Sequence, residues 1–143
     1  MRQFIILWIS LVSFGMSAQN SGKENKETSA YTIHSANLCL GDALFFGNKS
    51  IRFKEIVSDS RCPKEVTCIW AGEVEVLVEV FEDGVSKGEM VINRGSTLLA
   101  DLFGMANLKI SGMQVEPYPT VERKIKPEEY NVNLSISEKT END

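Results

Sequence analysis

Asp59-Ser60-Arg61-Cys62-Pro63-Lys64-Glu65-Val66-Thr67-Cys68-Ile69-Trp70-Ala71-Gly72 brings two cysteines, a proline, an ion-pairable acid and base, and one of the chain's two tryptophans into one short stretch. Five residues separate Cys62 from Cys68. Pro63 fixes its own φ and pushes Cys62 toward an extended conformation, so the loop can fold back until the two sulfurs meet. The reading is a disulfide-closed crossover between two strands. A loop of this length contributes about 2.4 kcal/mol in the chain-entropy model, enough to shape the loop but not to hold up a domain. A structural staple is preferred over a loop presented to a partner with Lys64 and Glu65 at its tip, because small exported domains use cysteines this way. Trp70, next to Ile69 and ahead of Ala71-Gly72, reads as a lid on the core in preference to a ligand-stacking platform.

The segment that follows decides the fold class. Val74, Val76, Val78 and Val80 fall on one face of a strand, with Glu73, Glu75 and Glu79 on the other. That period of two describes a half-buried antiparallel strand with one wet side. The glutamates lie along a line and do not gather round a point, so they read as a solvated face. Asp83-Gly84 accepts the positive φ that a tight hairpin needs, and Glu89 to Asn93 reads as the returning strand.

Upstream, Leu38 to Leu40 and Ala43 to Phe46 read as short strands, or as one strand broken at Gly41-Asp42. Ser50 to Val57 alternates until Glu55, where the pattern slips as it does at a β-bulge. Arg52 and Lys54 would face the glutamates if the two strands are neighbours. Residues 95 to 106 read as an irregular connection with at most a turn of helix, since short apolar runs do not discriminate strand from helix. Asn107 to Glu116 alternates around a bend at Gly112, and Pro117-Tyr118-Pro119 ends that strand. Tyr130, Val132, Leu134 and Ile136 alternate with Asn131, Asn133, Ser135 and Ser137 as a last core-facing strand. Six to eight short strands without a long amphipathic helix predict an all-β fold, an antiparallel β-sandwich, with a small Greek-key barrel as the alternative.

The run Asp59 to Pro63 followed by Cys68-Ile69-Trp70-Ala71-Gly72 resembles the signature of a largely uncharacterised family of small secreted or lipid-anchored bacterial β proteins. Pro117-Tyr118-Pro119 and the strand Tyr130-Asn131-Val132-Asn133-Leu134 match that family's C-terminal pattern, and the resemblance covers most of residues 38 to 137. It departs from the family in having no lipidation cysteine after the leader, and Cys39 lies outside the pattern. The resemblance implies a β fold and export, and it carries no activity.

The leader makes the same point about export independently. A positive head, an apolar run from Phe4 to Phe14 and small residues ending at Ala18 have the form of a secretory signal, too short for a spanning helix of about 20 residues. Residues 1–18 are then a signal peptide, 19–30 a flexible linker without large apolar residues, 31–137 a single β-sandwich domain and 138–143 a loose tail. Cleavage leaves 125 of 143 residues, enough for one core, and removes Arg2, moving the formal net charge from -5 to -6. The protein would work in the periplasm or outside the cell. An acidic chain without a basic cluster is a poor match for nucleic acid or an anionic membrane.

His34 is the only histidine and reads as structural, and three cysteines with one histidine give no zinc-ligand spacing. No metal or cofactor is called for. Cys39 reads as a buried thiol, with an intermolecular bridge or pairing to Cys62 or Cys68 as alternatives. Nothing assembles the nucleophile, base and oxyanion donors of an enzyme, and no catalytic residue is assigned. The function expected is a non-enzymatic binding or interaction module for another protein or a small ligand, with Asp59, Arg61, Lys64 and Trp70 as candidate binding residues. Two alternatives stand beside it: a protease inhibitor presenting the Cys62–Cys68 loop with Lys64 as substrate mimic, and an acid-residue hydrolase using Asp59 with Arg61. For the latter pair, a salt bridge or turn cap at the loop entrance is the preferred reading.

Overall fold

The computed structural model describes residues 30–95 and 107–140. Within them are seven strands, β1 (Ala30–Cys39), β2 (Ala43–Phe46), β3 (Lys49–Asp59), β4 (Val74–Glu82), β5 (Val85–Ile92), β6 (Leu108–Glu116) and β7 (Asn131–Thr140), with a 3-10 turn at Pro127–Glu129. They form two antiparallel sheets, ordered β1-β7-β6 and β2-β3-β4-β5. Each sheet keeps two edge strands, so the structure is an open sandwich and not the closed barrel held as the alternative.

β4 anchors the core as its alternation requires. Val74, Val76, Val78 and Val80 are buried, joined from the same sheet by Ile51, Phe53 and Ile92, and from the facing sheet by Leu38, Leu108, Val115, Val132, Leu134 and Ile136. Each such side chain contributes roughly 1.5 to 3 kcal/mol of burial. On the outer face the expected cross-strand pairs form. Arg52 is directly opposite Glu79, and Glu79 accepts from Lys54 at 3.3 Å and from Ser86 at 2.8 Å. The bulge signalled at Glu55 is a register shift between Phe53 and Glu55, and a second shift follows between Ile56 and Ser58. The bend at Gly112 is likewise a shift between Ile110 and Gly112. The Asp83-Gly84 hairpin has φ of 51° and 76° at its two turn residues, and β5 begins immediately after it, ahead of Glu89.

Several expectations need correction. β1 is one long strand paired with β7 over its whole length, beginning at Ala30 where the linker was expected to end. β7 likewise runs on through Glu138 and Lys139 to Thr140, opposite Ala30, where a loose tail was expected. Cys39 is exposed, not buried. The reason is parity: Leu38 takes the core position, so its neighbour must point outward. His34 occupies a packing position, its ring 5.8 Å from Phe46 and its Nε2 3.5 Å from Glu138. The connection expected over 95–106, apart from Gly95, lies outside the described residues, as do the leader and most of the linker.

Candidate functional site

β3 and β4 are adjacent and antiparallel, with Asp59 opposite Val74. The cysteine stretch is therefore not a crossover but the prolonged end of a hairpin. The ladder simply continues past the strands: Ser60 N–H donates to the Glu73 carbonyl at 2.8 Å, and Cys62 N–H to the Ala71 carbonyl at 3.0 Å. The Ser60 hydroxyl both donates to the Glu73 carbonyl and accepts from the Glu73 N–H, each at 3.0 Å. Gly72 sits in this base with φ +68°, and a Cβ there would overlap the Ser60 carbonyl. Beyond the base, Cys62 and Cys68 form the expected disulfide, Cα atoms 5.9 Å apart.

Asp59 and Arg61 lie on this hairpin two residues apart and clasp each other. Arg61 Nε and Nη2 donate to the two carboxylate oxygens at 2.8 and 2.7 Å, a bidentate pair whose side chains are only 9% and 10% exposed. The same guanidinium reaches the opposite sheet, donating to the carbonyls of Val115 at 2.6 Å and Pro117 at 3.1 Å, and lies 4.9 Å from the Tyr118 ring centre. Asp59 also accepts from its neighbour's backbone, Arg61 N–H, at 3.2 Å and from the Tyr130 hydroxyl at 3.1 Å.

Each carboxylate oxygen thus accepts two hydrogen bonds. Burial pushes the Asp59 pKa up, but the Arg61 hydrogen bonds and charge, with help from Tyr130, more than offset it and leave the group below the ordinary aspartate range. Burial also opposes the charge on Arg61, and Asp59 outweighs it, holding the guanidinium above its usual value. Tyr130 is raised by burial and then by the Asp59 charge. A carboxylate saturated with donors and held ionised is poorly matched to general acid or base work, which needs a pKa near the working pH. The geometry is that of a clasp between the two sheets, the salt-bridge reading preferred from sequence.

Lys64 and Glu65 are exposed, yet each is tied back by contacts to the 117–121 segment. Lys64 N–H donates to the Pro119 carbonyl at 3.3 Å and its ammonium lies 5.5 Å from the Tyr118 ring centre. Glu65 accepts from Val121 N–H at 3.1 Å. Both therefore fasten the loop to the 117–121 segment, and the Lys64 N–H is engaged there.

Ile69 and Trp70, by contrast, are 94% and 82% exposed, with Val66 half exposed beside them in the loop. Trp70 is not the core lid expected. It lies between Cys68 and the Ala71 bond, past the end of the paired strands, and takes no part in the core. The exposed apolar residues sit on a loop fixed by the disulfide, the ladder below it and its bonds to the opposite sheet.

Two depressions flank the hairpin base. One, of about 550 Å³, is lined by consecutive β3 residues 55–59 and by parts of the 119–130 segment, Tyr130 among them. The other, of about 370 Å³, is lined by Arg61, Ala71–Val74, Arg94, 113–116 and Tyr118. Asp59 belongs to the first and Arg61 to the second, so their pair forms part of the wall between the two. Trp70 and Lys64 line neither. Tyr118 and Tyr130, which hold the clasp, were not singled out as site residues from sequence. Among the described residues, no cluster of histidine, cysteine or acidic side chains is arranged to hold a metal ion, and no helix is long and apolar enough to cross a membrane.

Fold and site together define an antiparallel β-sandwich carrying a disulfide-closed, clasped hairpin. Compared with protein-family models, curated proteins and solved structures, the chain matches none.

The disulfide's share is open to measurement. Replacing Cys62 and Cys68 together by alanine should lower unfolding free energy by about 2.4 kcal/mol at most, because the clasp and the ladder still close the hairpin. Urea titration of the two proteins checks this, and a loss well beyond that value would mean that the bridge holds up the domain.

Proposed function

We propose that this is an exported, non-enzymatic binding module that docks onto a partner protein through the 66–70 loop. The observation that carries the reading is the pair Ile69 and Trp70, almost wholly exposed on a loop whose backbone is fixed. Exposed large apolar groups on a rigid support lose little conformational entropy on docking, and tryptophan is enriched among residues that dominate binding energy. Export is supported by the secretory form of the leader and by a disulfide, which persists in oxidising compartments. The resemblance of the cysteine signature to a family of exported β proteins supports it as well.

The test begins with capture of a partner from the extracellular and envelope fractions on immobilised protein, with Trp70→Ala as the parallel bait. The captured protein, purified, is then titrated against both. Trp70→Ala should weaken binding by roughly thirtyfold or more, the range of a hot-spot residue. Its melting temperature should be unchanged, since most of the side chain stands in solvent. Equal affinity of wild type, Trp70→Ala and Ile69→Ala for every captured protein would end the proposal.

A further inference from the structure

The geometry points to a second binding site, a strand-addition groove along β3 that takes an extended peptide of a partner protein carrying an acidic residue beside an apolar one. β2 pairs with β3 only from Lys49 to Arg52, and the last bonds on that side join Phe53 to Gly41 and Asp42. From Lys54 to Ser58, among the described residues, that side of β3 pairs with no strand, while the other side pairs with β4. The 550 Å³ groove lies along this edge. All of residues 55–59 line it and no residue of β4 does, which places it on the side of β3 turned away from β4. An edge with open main-chain donors and acceptors is completed by another extended backbone.

The opposite bank selects what that backbone carries. It contributes Pro119 and Pro127, whose nitrogens cannot donate, and the half-buried Ile125, which like Ile56 on the β3 bank lines the groove and packs against the core. Of its two cations, Arg123 is held by Glu129 at 2.7 Å, whereas Lys124 has no ion-pair partner among the described residues. Asp59, at the end of the groove, is neutralised by Arg61. The one cation left open on that bank is complementary to a single acid on the peptide, and Glu55 on the β3 bank disfavours a run of acids. The described ends Ala30 and Thr140 pair with each other at the far end of β7 from Asn131, away from this groove.

The purified full chain is panned against a phage library of random linear heptapeptides, and enriched peptides are synthesised and titrated. Enrichment of sequences with an acid next to an apolar residue is expected, with slowed amide exchange at residues 54–58 on binding. Val57 falls at the second register shift and has no Cα partner on β4, and a bulge is where a strand tolerates proline, so Val57→Pro is the variant chosen to block the edge. Affinity should fall at least tenfold in Val57→Pro, with the fold verified by its melting temperature. Should Val57→Pro not fold, Lys124→Glu serves instead, and it should shift the selected sequences from acidic to basic. Trp70→Ala should leave peptide binding unchanged, which separates this site from the loop. No enrichment over an unrelated protein, peptides that bind folded Val57→Pro equally well, or binding lost only in Trp70→Ala would each overturn the proposal.

Discussion

Replacing Arg61 by alanine is expected to destabilise the protein by about 3 to 5 kcal/mol, the cost of removing one partner from a buried ion pair. The loss has three parts. Asp59 keeps its charge in a nearly solvent-free position, the carbonyls of Val115 and Pro117 lose their donor, and the sheet-to-sheet tie at the base of the hairpin is gone. Asp59→Asn should cost less, because the amide oxygen can still accept from Arg61 or Tyr130, and the guanidinium left without its anion keeps the carbonyls of Val115 and Pro117 and the Tyr118 ring. Urea unfolding measures each, and a loss below about 1 kcal/mol for Arg61→Ala would mean that the clasp is ornamental.

The same clasp fixes a pH dependence. The Asp59 pKa is lowered in the fold, so its stabilising contribution is present above the unfolded value of about 3.9 and lost as pH falls through the lower folded value. Tyr130 is raised, so its contribution is present below about 10 and disappears as pH climbs through the folded value. Asp59→Asn should flatten the acid limb of the stability curve, and Tyr130→Phe the alkaline limb, measured by thermal unfolding across pH.

Much of this architecture was legible because β4 writes its two faces in valine and glutamate, a pattern no helix can satisfy. β1 was harder to see, since it points His34 and Ala36 toward the other sheet while Tyr31 and Ile33 face outward, the reverse of what apolarity suggests. Trp70 misled for a related reason. An Ile-Trp pair beside Ala-Gly looks like core material, yet both side chains fall where the hairpin has run past both sheets. The Asp59–Arg61 pair could be read from its spacing. Its anchors could not, because two are backbone carbonyls 54 and 56 residues away and the third is a tyrosine 71 residues away. Carbonyls leave no mark in a sequence, and Tyr118 and Tyr130 each had a sufficient local explanation as strand or turn residues.

The hairpin base also supplies the second large effect. Gly72→Ala should cost on the order of 3 kcal/mol, more than any change in the loop it supports. A left-handed φ of +68° strains any side chain by about 1 kcal/mol or more. The added methyl also overlaps the Ser60 carbonyl, which is backbone and cannot swing aside as a side chain would. Ser60 is itself held by bonds to Glu73, and Cys62 by its bond to Ala71, so relief requires opening the ladder. Gly84 provides the control. Its φ is +76°, and a Cβ there meets nothing within 4 Å, so Gly84→Ala carries the conformational cost alone. The difference between the two variants, read by urea titration, isolates the overlap, and amide exchange at Ser60 and Cys62 should accelerate in Gly72→Ala only. Equal losses at the two glycines would show that the hairpin base yields freely, and the rigid presentation of Trp70 would go with it.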